Sequence, residues 1–172
     1  MRLGQLRPEH RSRLAELLVD TGAFKADEVD VALSLFDLAL REGTAVAGDA
    51  TLDYEFIGAF EADRLMGYAC FGPTPATEGT HDLYWLAVDP SAQGGGIGRA
   101  LVREVERKLI DRGGRLLIVE TSSRPDYEST RQFYARSGYR EAARVRDFYA
   151  PADDRILLTT RLTTRDGGVA TR

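Results

Sequence analysis

Apolar residues recur at helical spacing in the first forty residues of the chain. A helix is predicted to begin near Pro8 and to end before Gly22, because proline suits a first helical turn and glycine suits the position after the last one. Its inner face carries the leucines Leu14, Leu17 and Leu18. A second helix is predicted over residues 26–41, and its apolar stripe consists of Val29, Leu33, Phe36 and Leu40. Gly43 ends this helix, and residues 44–53 are predicted to form a loop or a ragged strand.

Further along the chain, short apolar runs alternate with breaks that are rich in glycine and proline. Strands are predicted over residues 2–6, 54–61, 65–71, 81–88, 115–121, 139–149 and 155–163. Turns are predicted at residues 62–64 and 151–154. Residues 72–75 break the strand pattern, and residues 74–80 are predicted to form a surface loop. Two more helices are predicted, over about residues 95–112 and 126–137, and each is followed by a glycine, Gly113 or Gly138. This order predicts an α/β fold in which a mixed sheet is flanked by helices.

The size of the chain bounds its domain count. With 172 residues, of which 43% are hydrophobic and 29% are charged, the chain is long enough for one domain with its own core. We predict that residues 1–163 form this single domain. Residues 164–172 lack core-forming side chains and are predicted to be disordered. Cys70 is the single cysteine of the sequence, so no internal disulfide is expected.

Charge and hydropathy bear on partners and location. The net charge of −4 argues against a nucleic-acid partner, because such proteins are usually basic. The sequence has no run of 18 apolar residues and no apolar N-terminal segment, so neither a membrane span nor a secretion signal is predicted, and a cytoplasmic protein is expected. Two histidines and one cysteine argue against a zinc site. The lack of a GxSxG motif argues against a Ser-His-Asp hydrolase.

The most informative segment joins a predicted strand to a predicted helix through four glycines. The strand ends at Val88 and Asp89, and the sequence QGGGIG follows at residues 93–98. Glycines let the backbone approach a ligand closely, and a helix N-terminus favours negative charge. The segment therefore predicts a phosphate-binding loop. The alternative is a glycine-rich turn without a ligand.

Two common phosphate-binding motifs do not match this segment. A P-loop requires lysine and then serine or threonine after its last glycine, and Arg99 stands there instead. A dinucleotide fingerprint requires glycine or alanine at its sixth position, where the two frames of this segment place Arg99 and Leu101. Residues 93–98 instead match the pattern Q/R-x-x-G-x-G/A.

This pattern, with LAVDP at residues 86–90 and FYARSGY at residues 133–139, resembles the GNAT N-acetyltransferase superfamily over about residues 1–162. The last third looks most like the ribosomal-protein N-terminal acetyltransferases. The resemblance implies acetyl-CoA as co-substrate, with its pyrophosphate on the glycine loop and its pantetheine arm between parallel strands that splay apart at residues 83–88 and 115–121. The residues that it places at the cofactor are Leu86, Ala87, Val88, Gln93, Gly94, Gly95, Gly96, Ile97, Gly98, Arg99, Tyr127, Thr130 and Phe133. Tyr127 and Thr130 depart from the family pattern, which often has asparagine and alanine there.

Acetyl transfer to an amine requires a base and an acid. A free amine has a pKa of about 10 and is mostly protonated at neutral pH, and the departing thiolate must be stabilised. The resemblance implies that Glu120, at the end of the apolar run LLIVE, is the base and that Tyr134 is the acid. The alternatives are a solvated carboxylate at a strand end for Glu120 and a packed core aromatic for Tyr134. His81 is an alternative base.

The acceptor is predicted only as a class. Alternation along the strand before the glycine loop puts Asp82 and Tyr84 on one face and His81 with Leu83 on the other, and either face could meet the acceptor. The resemblance adds Tyr149, from the penultimate strand where family members often shape the acceptor pocket, and it implies that the acceptor is a small-molecule amine or a protein N-terminus. Family members often form homodimers, and the oligomeric state stays open. Other readings are a transferase that uses another acyl-CoA or a hydroxyl acceptor, and a non-catalytic acyl-CoA-binding regulatory domain. The presence of both Glu120 and Tyr134 argues against the last of these.

Overall fold

The computed structural model describes residues 1–22, 24–42 and 54–163. The predictions made for Gly43, for residues 44–53 and for the tail at residues 164–172 lie outside the described residues. The chain divides into two compact units, which are Met1–Thr77 with His81–Val105, and Glu78–Thr80 with Glu106–Arg172. The single domain predicted over residues 1–163 stays a prediction.

Among its described residues, the first unit contains four strands, each antiparallel to its neighbour. In spatial order they are β1 (Arg2–Gln5), β2 (Glu55–Glu61), β3 (Arg64–Pro73) and β4 (Thr80–Val88). The helices of this unit are α1 (Arg11–Asp20), which follows a 3-10 turn at Pro8–His10, α2 (Ala26–Glu42), and the first part of α3 (Ile97–Asp111). Both helices predicted in the first forty residues are confirmed.

The core of the first unit forms where the apolar stripes of α1 and α2 meet the sheet. The three leucines Leu14, Leu17 and Leu18 are fully buried, and Phe36 of α2 is buried with them. The two helices are also tied by a bidentate pair, in which Arg11 donates to the Asp37 carboxylate at 2.7 and 2.9 Å. The helical spacing in the sequence therefore identified the residues that build this core.

Among its described residues, the second unit contains three antiparallel strands, the last part of α3 and one complete helix. In spatial order the strands are β5 (Leu116–Ser122), β7 (Asp153–Arg161) and β6 (Arg140–Ala150). Helix α4 (Glu128–Arg136) follows a 3-10 turn at Pro125–Tyr127. Gly113 and Gly138 follow α3 and α4 with φ of 79° and 95°, so the predicted glycine stops are confirmed.

The hairpin turns are tighter than the sequence suggested. Residues Ala62 and Asp63 form a two-residue turn with φ of 44° and 66°, and Arg64 already pairs with Glu61 across it. Asp153 likewise pairs with Ala150, so the second turn holds two residues instead of four. Strand β3 also continues through Pro73, two residues beyond the predicted end of this strand at residue 71. A proline at the end of a strand is tolerated because no further ladder hydrogen bond is needed there.

Both later helices begin after the predicted positions. Helix α3 begins at Ile97 rather than at residue 95, because Gly94 and Gly96 have positive φ values that a helix does not accept. Helix α4 begins at Glu128, since Pro125–Tyr127 forms a 3-10 turn first. Among the helices of the described residues, none is long and apolar enough to cross a membrane.

Candidate active site

Asp89 fixes the start of the loop that follows β4. Its buried carboxylate accepts hydrogen bonds from the Ser91 amide at 2.9 Å and from the Ser91 hydroxyl at 2.6 Å, and it pairs with the Arg13 guanidinium on α1. The hydrogen bonds from Ser91 lower the pKa of Asp89, and the positive charge of Arg13 lowers it further. Asp89 is therefore ionised at neutral pH and ties the loop to α1.

Asp89→Asn is expected to lower the free energy of unfolding by about 2 kcal/mol at neutral pH, because it leaves the Arg13 guanidinium without its buried carboxylate. Since folding lowers the pKa of Asp89, this contribution is present above about pH 4 and is lost as the pH falls through the folded-state value. Urea unfolding at several pH values measures the effect. Asp63→Asn, at a carboxylate that is 96% exposed, is the control and should change by less than about 0.5 kcal/mol. A difference between wild type and Asp89→Asn that does not shrink at acid pH would contradict the charge pairing.

The glycine loop, residues 93–98, runs into the first turn of α3 and presents exposed backbone directly before it. Gly94 and Gly96 lie in the left-handed region with φ of 81° and 86°, and a Cβ at either position would meet no atom of the described residues within 4 Å. Gln93 closes the loop onto the strand, because its Nε2 donates to the Val88 carbonyl at 3.2 Å. The first turn of α3 presents N–H groups that have no partner within the helix, at the positive end of its dipole. This arrangement fits a pyrophosphate group.

Ile97 anchors the end of the loop. Its side chain is buried, and Gly67 on β3 lies so close that a Cβ there would stand 3.2 Å from Ile97 Cγ2 and 2.8 Å from the Ala87 carbonyl oxygen. Glycine at position 67 therefore permits the close approach of β3 to β4 and to the start of α3. The side chains of Ile97 and Ala87 are both buried. Arg99 is exposed, and Leu86, Val88 and Gly98 are half-buried.

The two predicted acceptor contacts on β4 lie beside a β-bulge. The register of β4 against β3 shifts at Tyr84, so Tyr84 and Trp85 both pack against the core of the first unit. The regular alternation assumed from the sequence breaks there. Burial raises the pKa of Tyr84 to about 12, and its ring lies 5.1 Å from the ring of Tyr54. Asp82 accepts a hydrogen bond from the Thr74 hydroxyl at 2.5 Å.

In the second unit, Glu120 occupies an exposed position of β5, and two side chains hold its carboxylate. The Tyr149 hydroxyl donates to Oε1 at 2.5 Å, and Nη2 of Arg155 contacts Oε2 at 2.5 Å. The Glu120 side chain is 41% exposed, so solvent also reaches the carboxylate. The structure thus brings together the predicted base Glu120 and the predicted acceptor contact Tyr149.

Sequence reasoning missed Arg155 in this cluster. Its guanidinium carbon lies 5.0 Å from the centre of the Phe148 ring, and the Phe148 and Tyr149 rings meet edge to face at 5.0 Å. The available signal was a basic residue near the start of the last strand. A contact between this residue and Glu120 can be predicted only if the register between β5 and β7 is known, and the register cannot be read from the sequence.

Tyr134 is a buried side chain of α4. It is 4% exposed, and its ring makes edge contacts with Phe133 at 5.0 Å and with Tyr139 at 5.2 Å. Burial raises the pKa of Tyr134 above its usual value. The hydroxyl therefore stays protonated over the whole working range of pH, which makes it a hydrogen-bond donor and not a base.

Of the other two predicted contacts on this segment, Thr130 lies in the same helix as Tyr134, and Tyr127 does not. Tyr127 belongs to the 3-10 turn that precedes α4, and the Arg124 guanidinium lies 5.6 Å from the centre of its ring. Thr130 is half-buried in α4 itself. Regular helical spacing from residue 127 onward would put Tyr127, Thr130 and Tyr134 on one face. The 3-10 turn, with three residues per turn, changes that spacing for Tyr127.

Within residues 1–22, 24–42 and 54–163, no group of three or more His, Cys, Asp or Glu side chains is placed to hold a metal ion. Cys70 is buried in the first unit, and burial raises the pKa of its thiol. A thiol of this kind remains protonated, so it is neither a metal ligand nor a nucleophile.

Comparison with known sequences identifies relatives over a large part of the chain. The profile of the acetyltransferase (GNAT) family matches residues 34–139. N-alpha-acetyltransferase RimI from Mycobacterium tuberculosis is 34% identical over 99 residues, which make up 55% of this chain and 57% of that protein. The chain thus spans little more than half the length of this curated relative.

Solved structures extend the similarity to almost the whole chain. A GNAT-family protein from Desulfovibrio desulfuricans has 40% sequence identity and a TM-score of 0.84, with 94% of this chain and 99% of that chain covered. An aminoglycoside 6′-N-acetyltransferase complexed with coenzyme A shares the fold at 16% identity, with a TM-score of 0.73 and coverage of 97% and 100%. The predicted α/β fold of GNAT type is confirmed. Since the family profile also covers more than half of its residues, the chain belongs to the acetyltransferase (GNAT) family.

Proposed function

We propose that this protein transfers an acetyl group from acetyl-CoA to a primary amine, by direct attack of the amine in a ternary complex. The observation that carries the proposal is the glycine loop in a chain of the GNAT family, because its open backbone and the helix behind it fit the pyrophosphate of coenzyme A. Bound acetyl-CoA supplies the thioester that the amine attacks.

Glu120 serves as the general base in this proposal. A primary amine reaches the site mostly protonated, and only its neutral form attacks. A carboxylate offers about four lone-pair directions, and Tyr149 and Arg155 each take one of those on Glu120. The exposed part of the carboxylate remains open to the amine or to a bridging water, and it can accept the amine proton there.

Tyr134 serves as the general acid. Its hydroxyl stays protonated because burial raises its pKa, and a protonated hydroxyl can donate to the departing sulfur. Glu120 and Tyr134 thus have separate tasks, since one is a carboxylate that solvent reaches and the other is a buried neutral donor.

The proposed acceptor is a small-molecule amine or a protein N-terminus. Two relatives support this class by name, since one is an N-alpha-acetyltransferase and the other is an aminoglycoside 6′-N-acetyltransferase. A panel of polyamines, amino acids, aminoglycosides and peptides with free N-termini tests the proposal, with release of the coenzyme A thiol as readout. Thiol release that depends on at least one amine is expected. Thiol release that no amine increases would contradict amine acetylation.

Acetyl-CoA at a hundredfold excess over its Kd is expected to stabilise the wild-type protein by about 2.7 kcal/mol, or roughly 5–10 °C in Tm. Gly96→Glu should abolish this shift, because a carboxylate would occupy the place of the pyrophosphate. Gly22→Glu is the matched control, since Gly22 also has a positive φ, 63°, and open space around it among the described residues. Equal shifts in wild type and Gly96→Glu, measured by thermal melting, would contradict the assignment of the loop.

A further inference from the structure

Four side chains of the second unit form what we call the Glu120 cluster, namely Glu120, Phe148, Tyr149 and Arg155. We propose that Tyr149 and Arg155 are positioning residues of the acetyl-transfer site. They hold the two oxygens of Glu120, so that the carboxylate meets the acceptor amine in one orientation. This inference rests on the proposed function and adds to it the residues that orient the base.

The pairing of β5 with β7 puts Arg155 beside Glu120. Glu120 pairs with Leu157, and Ser122 pairs with Arg155. Residues that stand opposite each other in an antiparallel pair share a face of the sheet, so Arg155 is the diagonal neighbour of Glu120 on that face. A diagonal neighbour lies within reach of a long side chain. The contact of 2.5 Å between Arg155 Nη2 and Glu120 Oε2 therefore follows from the register.

An irregular stretch of β6 brings Tyr149 to the same place. The register of β6 against β7 is interrupted around Asp147, which lies in the left-handed region with φ of 51°. Phe148 packs against the Arg155 guanidinium, while Tyr149 donates to Glu120. Neighbouring residues of a regular strand would point to opposite faces. The bulge is what allows two consecutive aromatic residues to join one cluster.

Hydrogen bonds fasten this bulge to the turn that follows it. The Asp147 amide donates to Asp154 Oδ1 at 3.1 Å, and the Ala152 amide donates to Asp147 Oδ1 at 2.7 Å. Arg144 Nη1 donates to the other oxygen of Asp154 at 3.0 Å. The Asp154 amide in turn donates to the Ser123 hydroxyl at 2.8 Å, directly after β5. The segment that carries Tyr149 is thus tied to the end of the strand that carries Glu120.

The two partners of Glu120 act in different ways. Tyr149 is a neutral donor, because burial and its bond to Glu120 raise its pKa. Arg155 carries a positive charge, and its planar group is fixed against the Phe148 ring. A carboxylate with a donor on each oxygen has lost its rotational freedom before the amine arrives, which is the advantage of a preorganised site. The charged and titratable groups at Glu120 are Tyr149 from β6 and Arg155 from β7, with Asp153 acting on Tyr149.

Kinetics of three variants separate the hydrogen bond from the charge. Tyr149→Phe is expected to lower kcat about tenfold, as for the loss of one hydrogen bond to a charged group, while KM for acetyl-CoA stays unchanged. Arg155→Met should lower kcat by at least as much. Arg155→Lys keeps the charge but loses the planar group, so it should recover part of the rate. Arg161→Met, which removes an exposed arginine from the same strand, is the matched control.

The split between kcat and KM, with rescue by lysine, distinguishes positioning from a merely structural role. A base held in one orientation acts on the reacting amine, so the loss in Arg155→Met should fall on kcat while KM for acetyl-CoA stays at its wild-type value. Arg155→Lys should recover part of kcat, and Arg161→Met should leave both constants unchanged. A rate loss in Arg155→Met that Arg155→Lys does not partly recover would overturn the role given to Arg155. Rates of Tyr149→Phe and Arg155→Met within threefold of Arg161→Met would overturn the whole inference.

A measurement without turnover completes the test. In protein labelled with ¹⁵N-arginine, Arg155 is expected to give separate Nη signals because its guanidinium is held, and Glu120→Gln should merge them. Merged signals in the wild type would overturn the inference. A wild type that acetylates no amine of the panel would remove the proposed function itself. An active wild type whose variants equal the control would remove only the positioning role.

Discussion

Replacing Tyr134 by phenylalanine is expected to lower kcat by about 10²–10⁴, which is the range that a general acid contributes. KM for acetyl-CoA should change little, because the lost interaction acts on the departing sulfur and not on ground-state binding. The fold should survive, since the ring keeps its edge contacts with Phe133 and Tyr139. Steady-state kinetics with an amine from the panel measure both constants, and thermal melting checks the fold.

Tyr139→Phe is the matched control for this prediction. It removes another buried tyrosine hydroxyl from the same unit, one that donates to Glu106 at 3.0 Å, and kcat should stay within threefold of wild type. Because the pKa of Tyr134 is raised, its hydroxyl stays protonated, and we expect the activity not to fall below about pH 10 through loss of this proton. If Tyr134→Phe also stays within threefold, Tyr134 is a packing residue and the acid lies elsewhere.

Glu120→Gln is expected to lower kcat/KM by about 10²–10³ near neutral pH. The loss should be much smaller at about pH 9–10, because more of the acceptor amine is then neutral without help from a base. The variant therefore recovers as the pH rises. The pH dependence of kcat/KM for wild type and variant measures this, with acetyl-CoA saturating.

Glu128→Gln is the matched control, since Glu128 is an exposed carboxylate of the same unit that binds Gln132 and Arg131 on its own helix. It should leave the profile unchanged. A loss in Glu120→Gln that is equal at every pH would assign Glu120 to positioning of the amine. No loss at all would move the search for a base to His81 or to a water held by backbone carbonyls.

Local patterns in the sequence predicted those features that depend on only a few neighbouring residues. The leucines of α1 and the glycines after α3 and α4 were placed correctly, because helical spacing and the left-handed preference of glycine act over a few residues. The hairpin turns were drawn too long, since Arg64 and Asp153 are strand residues only through their partners across the turn. The bulge at Tyr84 was not predicted either, because a bulge depends on how the strand pairs with its neighbour.

The GNAT resemblance, the glycine loop and the candidate pair Glu120 and Tyr134 were predicted from the sequence alone. Each of these predictions depends on short motifs, whose residues are close together in the chain. The surroundings of Glu120 were decided by tertiary structure. Arg155 and Tyr149 are 35 and 29 residues away from Glu120, and they reach it through the register of β5 with β7 and the bulge at Asp147. Strand register comes from side-chain burial and turn geometry across several elements at once, so no short stretch of sequence contains it.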